Sequence, residues 1–566
     1  MSSFQTDDKP TRIGRVGGPV LSRRDGLRSA LGAAALLALS ACGGKDDQPS
    51  GGASSGGATS TAPITAWGGE PQNPLVPTNT NETSGGKIID AIFAGLVFYE
   101  ADGKPQNDLA ESIETTDAQN YTIKIKAGQK FSDGTPVTSK SFVDAWNYGA
   151  LSTNAQLNSY FFEPIVGYAD VSADTPTAQT MSGLKVVDDS TFTVALTQPE
   201  SDFPLRLGYS SFYPLPAAAF TDIKAFGENP VGNGPYKLKA AGAWKHNERI
   251  DLVVNDAYTG GRKAKNGGLA IVFYASLDTA YSDLTSGNLD TLDQVPDSAL
   301  ATFESDLGDR AVNQPAAIFQ SFTIPQKLAH FEGDEGKLRR QAISYAIDRA
   351  SICKAVFQGT RTPAKDFTSP VIAGYSEKIP GNEVLSFDAA KAKALWAQAE
   401  AIAPYSGTFT IGYNSDGGHQ TWVDATTASI RQTLGIQAEG APYATFAQLR
   451  SDVTDRTIKG AFRTGWQADY PGLYNFLAPI YATGAGSNDG DYSNPAFDAM
   501  LKQAAAETDA DASQKLLQQA QEILFKDLPA IPLWYSNASG GYGENVSNVK
   551  FGWNSVPIYD AITKKA

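Results

Sequence analysis

The chain has 566 residues, 41% hydrophobic and 19% charged, a composition that excludes a disordered polymer and is too long for one hydrophobic core. Its net charge of -15 sets an acidic surface against nucleic acid phosphates and anionic lipid, so no nucleic acid partner is expected of the folded body. Three histidines and two cysteines are too few for an elaborate metal site, and neither a metal nor a cofactor is expected.

The first segment, 1–42, reads as a targeting signal. Arg23 and Arg24 precede an apolar run from Leu31 to Leu39. That run is roughly ten residues, too short for a hydrocarbon core of about 30 Å. A charged region followed by a short apolar region is a secretory signal. The run ends in Leu39-Ser40-Ala41-Cys42, which resembles the bacterial lipobox, where cleavage before Cys leaves that Cys to receive a lipid. Cys42 is therefore the expected lipidation site and membrane anchor. Ser22 to Leu27 also resembles a twin-arginine signal, although Gly26 stands where that pattern has a bulky apolar residue. The general secretory and twin-arginine routes both stay open.

Residues 43–62 are nearly all Gly, Ser, Asp, Ala and Thr, a flexible tether with a mean span of roughly 25 Å. Gly52-Ala53-Ser54-Ser55-Gly56 fits G-x-S-x-G, but that motif needs a strand before it and a helix after it, and both flanks here are linker. The folded body begins near Pro63 and reads as mixed α/β. Ile64 to Trp67 predicts a strand, Gly86 to Tyr99 a helix running into a strand, and Tyr121 to Lys126 a half-buried strand. Thr138 to Trp146 predicts a helix capped by Thr138 or Ser139, and Val186 to Leu196 a strand pair or a strand after a turn. The apolar positions of Leu338 to Phe357 recur at helical spacing, which makes Cys353 a buried core thiol and not a nucleophile.

Six motifs occur in order: Gly95-Leu96, Asp102-Gly103, Leu109 to Ser112, Phe131 to Thr138, Val231 to Tyr236, and Arg340 to Arg349. As a set they resemble the extracytoplasmic solute-binding proteins, family 5, of peptide ABC importers. The resemblance runs from about residue 63 to the end of the chain. It implies a type II periplasmic-binding-protein fold of the large class, two lobes with ligand between them. Transferred here, it gives one lobe at 63–96, 209–313 and 535–566, with an extra subdomain at 97–208, and a second lobe at 314–534. The apolar stretch Pro529 to Tyr535 follows a helical pattern ending near Phe525 and suits a return across the hinge. Gly232 to Tyr236 lacks the Lys-Ser/Thr of a phosphate loop and reads as a turn before a strand.

The chemistry concentrates in Arg463-Thr464-Gly465-Trp466-Gln467-Ala468-Asp469-Tyr470. A free peptide carries an ammonium, a carboxylate and a row of amides, and enclosing it is costly unless each finds a partner. In an extended segment Arg463, Gly465, Gln467 and Asp469 face one side, with roughly 20 Å between the Cα atoms at its ends. Leaning side chains reduce that gap to roughly ten to fifteen Å, the reach of a few residues. Gly465 admits close approach of a ligand and Trp466 offers a flat apolar wall. The resemblance implies that Asp469 binds the peptide α-amino group and Arg463 its carboxylate. Asn414 to His419 resembles a second such segment, in which His419 meets the carboxylate of longer peptides, and Lys327 lies near the same end. Trp422, Trp244 and Trp534 read as core.

The expectation is thus a lipid-anchored monomer on the outer face of a bacterial cell membrane. It captures short peptides by lobe closure and delivers them to ABC permease subunits. An oligosaccharide or another small solute, and a peptide-signal receptor, are the alternatives. An exported hydrolase is disfavoured, because no Ser-His-Asp order, H-E-x-x-H or Cys/His pair occurs outside the linker.

Overall fold

The structure is a computed structural model that describes residues 62–565. The signal, Cys42, the tether as far as residue 61 and the G-x-S-x-G stretch lie outside the described residues. No described helix is long and apolar enough to cross a membrane.

The strands of the largest sheet that matter here are β1 (Ile64–Gly68), β2 (Tyr236–Leu238), β3 (Arg249–Val254), β4 (Gly268–Phe273), β5 (Thr291–Leu292), β6 (Ala311–Thr323), β7 (Thr408–Asn414), β8 (Gln437–Tyr443), β9 (Ala461–Gln467) and β10 (Ala530–Tyr542). They are ordered β8-β7-β9-β6-β10-β5-β1-β4-β3-β2, and two short strands complete a sheet of 12. Two large hydrophobic cores flank it. The first gathers residues from Ile64 to Ile271 together with Val546, Tyr559 and Ile562. The second runs from Ala317 to Trp553. The antiparallel strands β6 and β10, of 13 residues each, pair from Ala311↔Gly541 to Thr323↔Ala530 and so link the two. The expected return through Pro529 to Tyr535 is the start of β10. A smaller antiparallel sheet of four strands, Ala110–Glu114, Asn120–Ile125, Thr191–Ala195 and Leu184–Asp188, packs with the first core.

Local predictions compare closely with these elements. The helix over Gly86 to Tyr99 is instead α1, Thr83–Ile92, followed by a strand at Val97–Tyr99. It starts earlier because the Glu82 carboxylate accepts from the Ser84 and Gly85 N–H groups, an N-cap made by a residue outside the usual set. Ser139–Ala150 is a helix with Thr138 as N-cap. The helical pattern over 338–357 is two helices, Gly333–Tyr345 and Arg349–Phe357, because Asp348 caps the second through Ser351 N–H. Cys353 is buried, and burial pushes its thiol up to about 12. The arginines of that motif are internal braces: Arg340 donates to Asp527 O at 2.7 Å, and Arg349 to Pro532 O at 2.8 Å and Leu385 O at 2.7 Å.

The Gly232-Asn233-Gly234 motif is a clasp on the C-terminal end of α1. Gly234 N–H donates to Ile92 O at 2.7 Å, and the Asn233 amide exchanges hydrogen bonds with the Ala94 backbone at 3.1 and 3.0 Å. A Cβ at Gly232 meets Ile92 O at 2.2 Å, so the backbone approach requires glycine. Gly232→Ala is therefore expected to destabilise by about 2–3 kcal/mol. Gly86, inside α1, has nothing within 4 Å of an added Cβ. Gly86→Ala is expected to stabilise by about 0.5–1 kcal/mol. Equilibrium denaturation of the two variants checks both signs.

Candidate functional site

Strand β9 places the predicted residues. It lies between β7 and β6, parallel to the first and antiparallel to the second. Its last residue, Gln467, and the two that follow, Ala468 and Asp469, line a cavity of about 740 Å³ whose other walls are α1 and the segments at 98–102 and 208–213 from the first core's elements, with 552–561 contributing Trp553 of the second core and Tyr559 of the first. The cavity therefore lies between the two cores.

Asp469 is half-buried and held by one residue. Asn475 Nδ2 donates to Asp469 Oδ2 at 3.0 Å, while Asn475 Oδ1 accepts from Asp469 N–H at 2.9 Å and from Trp466 Nε1–H at 3.0 Å. Asn475 sits in the helix Leu473–Tyr481 and is buried. Burial lifts the Asp469 carboxyl to about 6, with the Asn475 hydrogen bond opposing the rise. No cation among the described residues contributes. Tyr99, Tyr160 and Tyr209 are raised by burial first, and the Asp469 charge raises each further. Tyr99 and Tyr209 line the cavity, as does Trp553, which meets Tyr99 edge-on at 5.5 Å between ring centroids. The carboxylate thus faces aromatic rings.

The other predicted residues divide into two groups. Gln467 lines the cavity with Asp469. Trp466 does not: its ring packs against the second core and its indole N–H orients Asn475, where a ligand wall was expected. Gly465 is exposed in mid-strand, its Cβ position 3.3 Å from Phe319 O. Arg463, at the N-terminal side of β9, donates to the buried Asn414 Oδ1 at 2.8 Å and lies 4.8 Å over the Phe446 ring. His419 Nδ1 accepts from Trp422 Nε1–H at 3.1 Å, which leaves the other ring nitrogen to carry the proton in the neutral form. Lys327 is exposed. Arg463, Asn414, Gly465, His419 and Lys327 do not line the 740 Å³ cavity. Trp422, Trp244 and Trp534 are core residues at 3%, 7% and 1% exposure.

The wall residues Tyr99, Tyr209, Arg262, Trp553 and the anchor Asn475 were not singled out from the sequence. Tyr99, Tyr209, Arg262 and Trp553 come from distant segments that only topology brings together, whereas Asn475 follows Asp469 by six residues. The local signals were weak: an aromatic pair at a strand end, and an Asn six residues after Asp469 at the start of an apolar helix.

The family profile "Bacterial extracellular solute-binding proteins, family 5 Middle" matches residues 104–488. The chain belongs to this family. Among its relatives are the oligopeptide-binding protein OppA of Bacillus subtilis, 28% identical over 84% of this chain and 88% of that protein, and the probable deoxycholate-binding periplasmic protein YgiS of Escherichia coli, 29% identical over 81% and 85%. The unliganded open form of the murein tripeptide-binding protein MppA superposes with a TM-score of 0.75 at 21% identity, covering 90% of this chain and 98% of that one. The family 5 protein therefore has the two-lobed periplasmic-binding-protein fold.

A raised carboxyl makes stability depend on pH. The folded protein binds the Asp469 proton more tightly than an unfolded chain does. That contribution is full below the ordinary value of 3.8 and is lost as pH rises through about 6. The loss amounts to at most about 3 kcal/mol. Asp469→Asn removes it, so the unliganded variant is expected to be more stable than wild type at neutral pH and to lose that advantage near pH 4. Denaturant unfolding across this range measures the difference.

Proposed function

We propose that the protein captures short peptides between its lobes outside the cell and hands them to the permease of an ABC importer. It is a binding protein and not an enzyme. The observation that carries this reading is Asp469, a carboxylate in the interlobe cavity that no protein cation neutralises among the described residues. A peptide α-ammonium supplies the missing charge. Relief of an unpaired buried charge favours the bound state. The name of the oligopeptide-binding relative and that of the murein tripeptide-binding neighbour support the same ligand class.

Strand β9 sets the direction of the ligand. With the amino end at Asp469, a peptide running beside β9 passes the exposed Gly465 and reaches Arg463 and Asn414, and beyond them His419 and Lys327, as partners for its carboxylate. Backbone hydrogen bonding of this kind is indifferent to side chains and gives affinity with broad tolerance. The lobe divisions we adopt are 63–96 with 209–313 and 535–566, the subdomain 97–208, and 314–534. The separate hydrophobic cores support the division of 314–534 from the rest, although Tyr535 and Trp553 pack with the second core and so depart from it, and 97–208 shares the first core. Closure of the lobes removes water from the ligand and shifts the population towards the closed form.

Export by the signal at 1–42, lipid attachment at Cys42 and action as a monomer complete the proposal. The lipobox-like Leu39 to Cys42 supports the anchor.

Asp469→Asn is expected to weaken peptide binding by about 1–3 kcal/mol, because the buried ammonium loses its countercharge. Wild-type affinity is expected to be level from about pH 6 to the α-amino range near about 8 and to fall towards tenfold per unit below pH 6, since the carboxyl must release its proton to accept the ammonium. Calorimetric titration with a tripeptide measures both. Unchanged affinity in the variant rejects the assignment of Asp469.

A further inference from the structure

The interlobe cavity is more acidic than one terminal ammonium requires. Six carboxylates line it, from Glu82, Asp90, Glu100, Asp102, Asp469 and Asp560, against the three cations Lys87, Arg262 and Lys550. Two of these cations are already committed. Lys87 Nζ lies 2.5 Å from Asp293, a buried pair, and 4.4 Å over the Trp67 ring. The Arg262 guanidinium donates to Asp90 O at 2.8 Å and Phe93 O at 3.0 Å and lies 3.7 Å from Asp108. Asp293 and Asp108 are not on the cavity wall, so the field inside it is negative.

The carboxylates differ in what they already do. Glu82 caps α1, and Asp90 accepts from Tyr213 Oη–H at 3.0 Å. Glu100 and Asp102, in the turn after the strand Val97–Tyr99, are exposed. Asp102 accepts only the Lys104 backbone N–H, at 3.0 Å, and the Glu100 carboxylate has no partner among the described residues. Beside them stand the rings of Phe98, Tyr99 and Trp553. Apolar faces next to unspent carboxylates match a long cationic side chain, whose methylene stem packs on rings while its head meets negative charge.

We propose that the protein selects cationic peptides: a Lys or Arg side chain near the peptide's amino end lies along Tyr99 and Trp553 and places its charge at Glu100 and Asp102. This selectivity rests on the peptide reading above and narrows it. Acidic peptides bring like charge into the same cavity and are disfavoured. Part of the preference is screened by salt, because Glu100 and Asp102 are exposed.

The test titrates the full chain calorimetrically with Ala-Lys-Ala, Ala-Ala-Ala and Ala-Glu-Ala at neutral pH, in low and high salt, and repeats this on the double variant Glu100→Gln/Asp102→Asn. Ala-Lys-Ala is expected to bind at least about tenfold more tightly than Ala-Glu-Ala at low ionic strength. That ratio is expected to shrink in high salt and to drop about threefold or more in the double variant. Equal affinities for the Lys and Glu peptides, or a ratio the double variant leaves untouched, overturn the selectivity while peptide capture stands. Binding of none of the three peptides overturns both.

Discussion

A carboxylate drawn away from water with no cation beside it is the constraint on which this site depends. Asp469 is raised by burial, and the amide of Asn475 is a dipole that opposes only part of that cost. The remaining neighbours are tyrosine rings, whose own hydroxyls are pushed further from ionising by the same charge. In the unliganded protein this arrangement is a net expense. On the proposed reading it becomes favourable when a ligand brings the missing positive charge, and binding energy then includes relief of a strain already present. A surface carboxylate, already solvated, has no such reserve.

Holding that carboxylate in place falls to the segment 469–474, which separates two cavities. Asp469 faces the first. Pro471, Leu473 and Tyr474 line the second, of about 750 Å³, together with Leu205 and Val371. A partition this thin needs anchors on both sides. Asn475 supplies one. The other is an ionic cluster from the first core's side: Tyr470 Oη donates to Asp202 at 3.1 Å, and Arg206 lies 5.5 and 5.7 Å from the Tyr470 and Tyr474 rings. Arg206 is itself paired with Glu200 at 2.7 Å, and Ser201 N–H donates to Ala505 O at 2.8 Å. The residue that follows Asp469 is thus tied to the opposite body. On the proposed reading, relative displacement of the two bodies is felt within one residue of Asp469.

How much of this was legible in the sequence follows the range of each interaction. The short-range features were readable: the Thr138 cap, the strand near Tyr121 to Lys126, the buried Cys353 and the glycine turn before β2. Asp469 and Arg463 are legible as opposite charges six residues apart in one stretch, whereas a ligand role for them comes from the family resemblance. Trp466 was legible as apolar but not in direction, since its indole N–H answers to Asn475, nine residues on. The break of the helical pattern at 346–348 was masked by apolar spacing that continues through the Asp348 cap. The acidic wall was illegible. Glu100, Asp102 and Asp560 are ordinary surface charges in one dimension and become a field only when the sheet gathers them.

The strands joining the cores have one further property that matters for capture. β6 and β10 pair continuously at both ends, but their register slips between Pro315 and Phe319 and again between Gln320 and Ser321. Pro315 has no N–H to contribute, and irregular pairing leaves fewer ladder bonds to strain when the strands bend. The neighbouring residues stay anchored, since Ala317 N–H donates to Trp553 O at 2.7 Å and Ala317 O accepts from Ala468 N–H at 3.0 Å. A bend placed here falls where Ala317 and Phe319 enter the second core. It also sits beside Ala468 and Trp553, two residues of the cavity wall. On the proposed reading, opening of the cleft and displacement of Asp469 are one deformation, because Ala317, within the irregular stretch, is hydrogen-bonded to Ala468, the residue preceding that carboxylate.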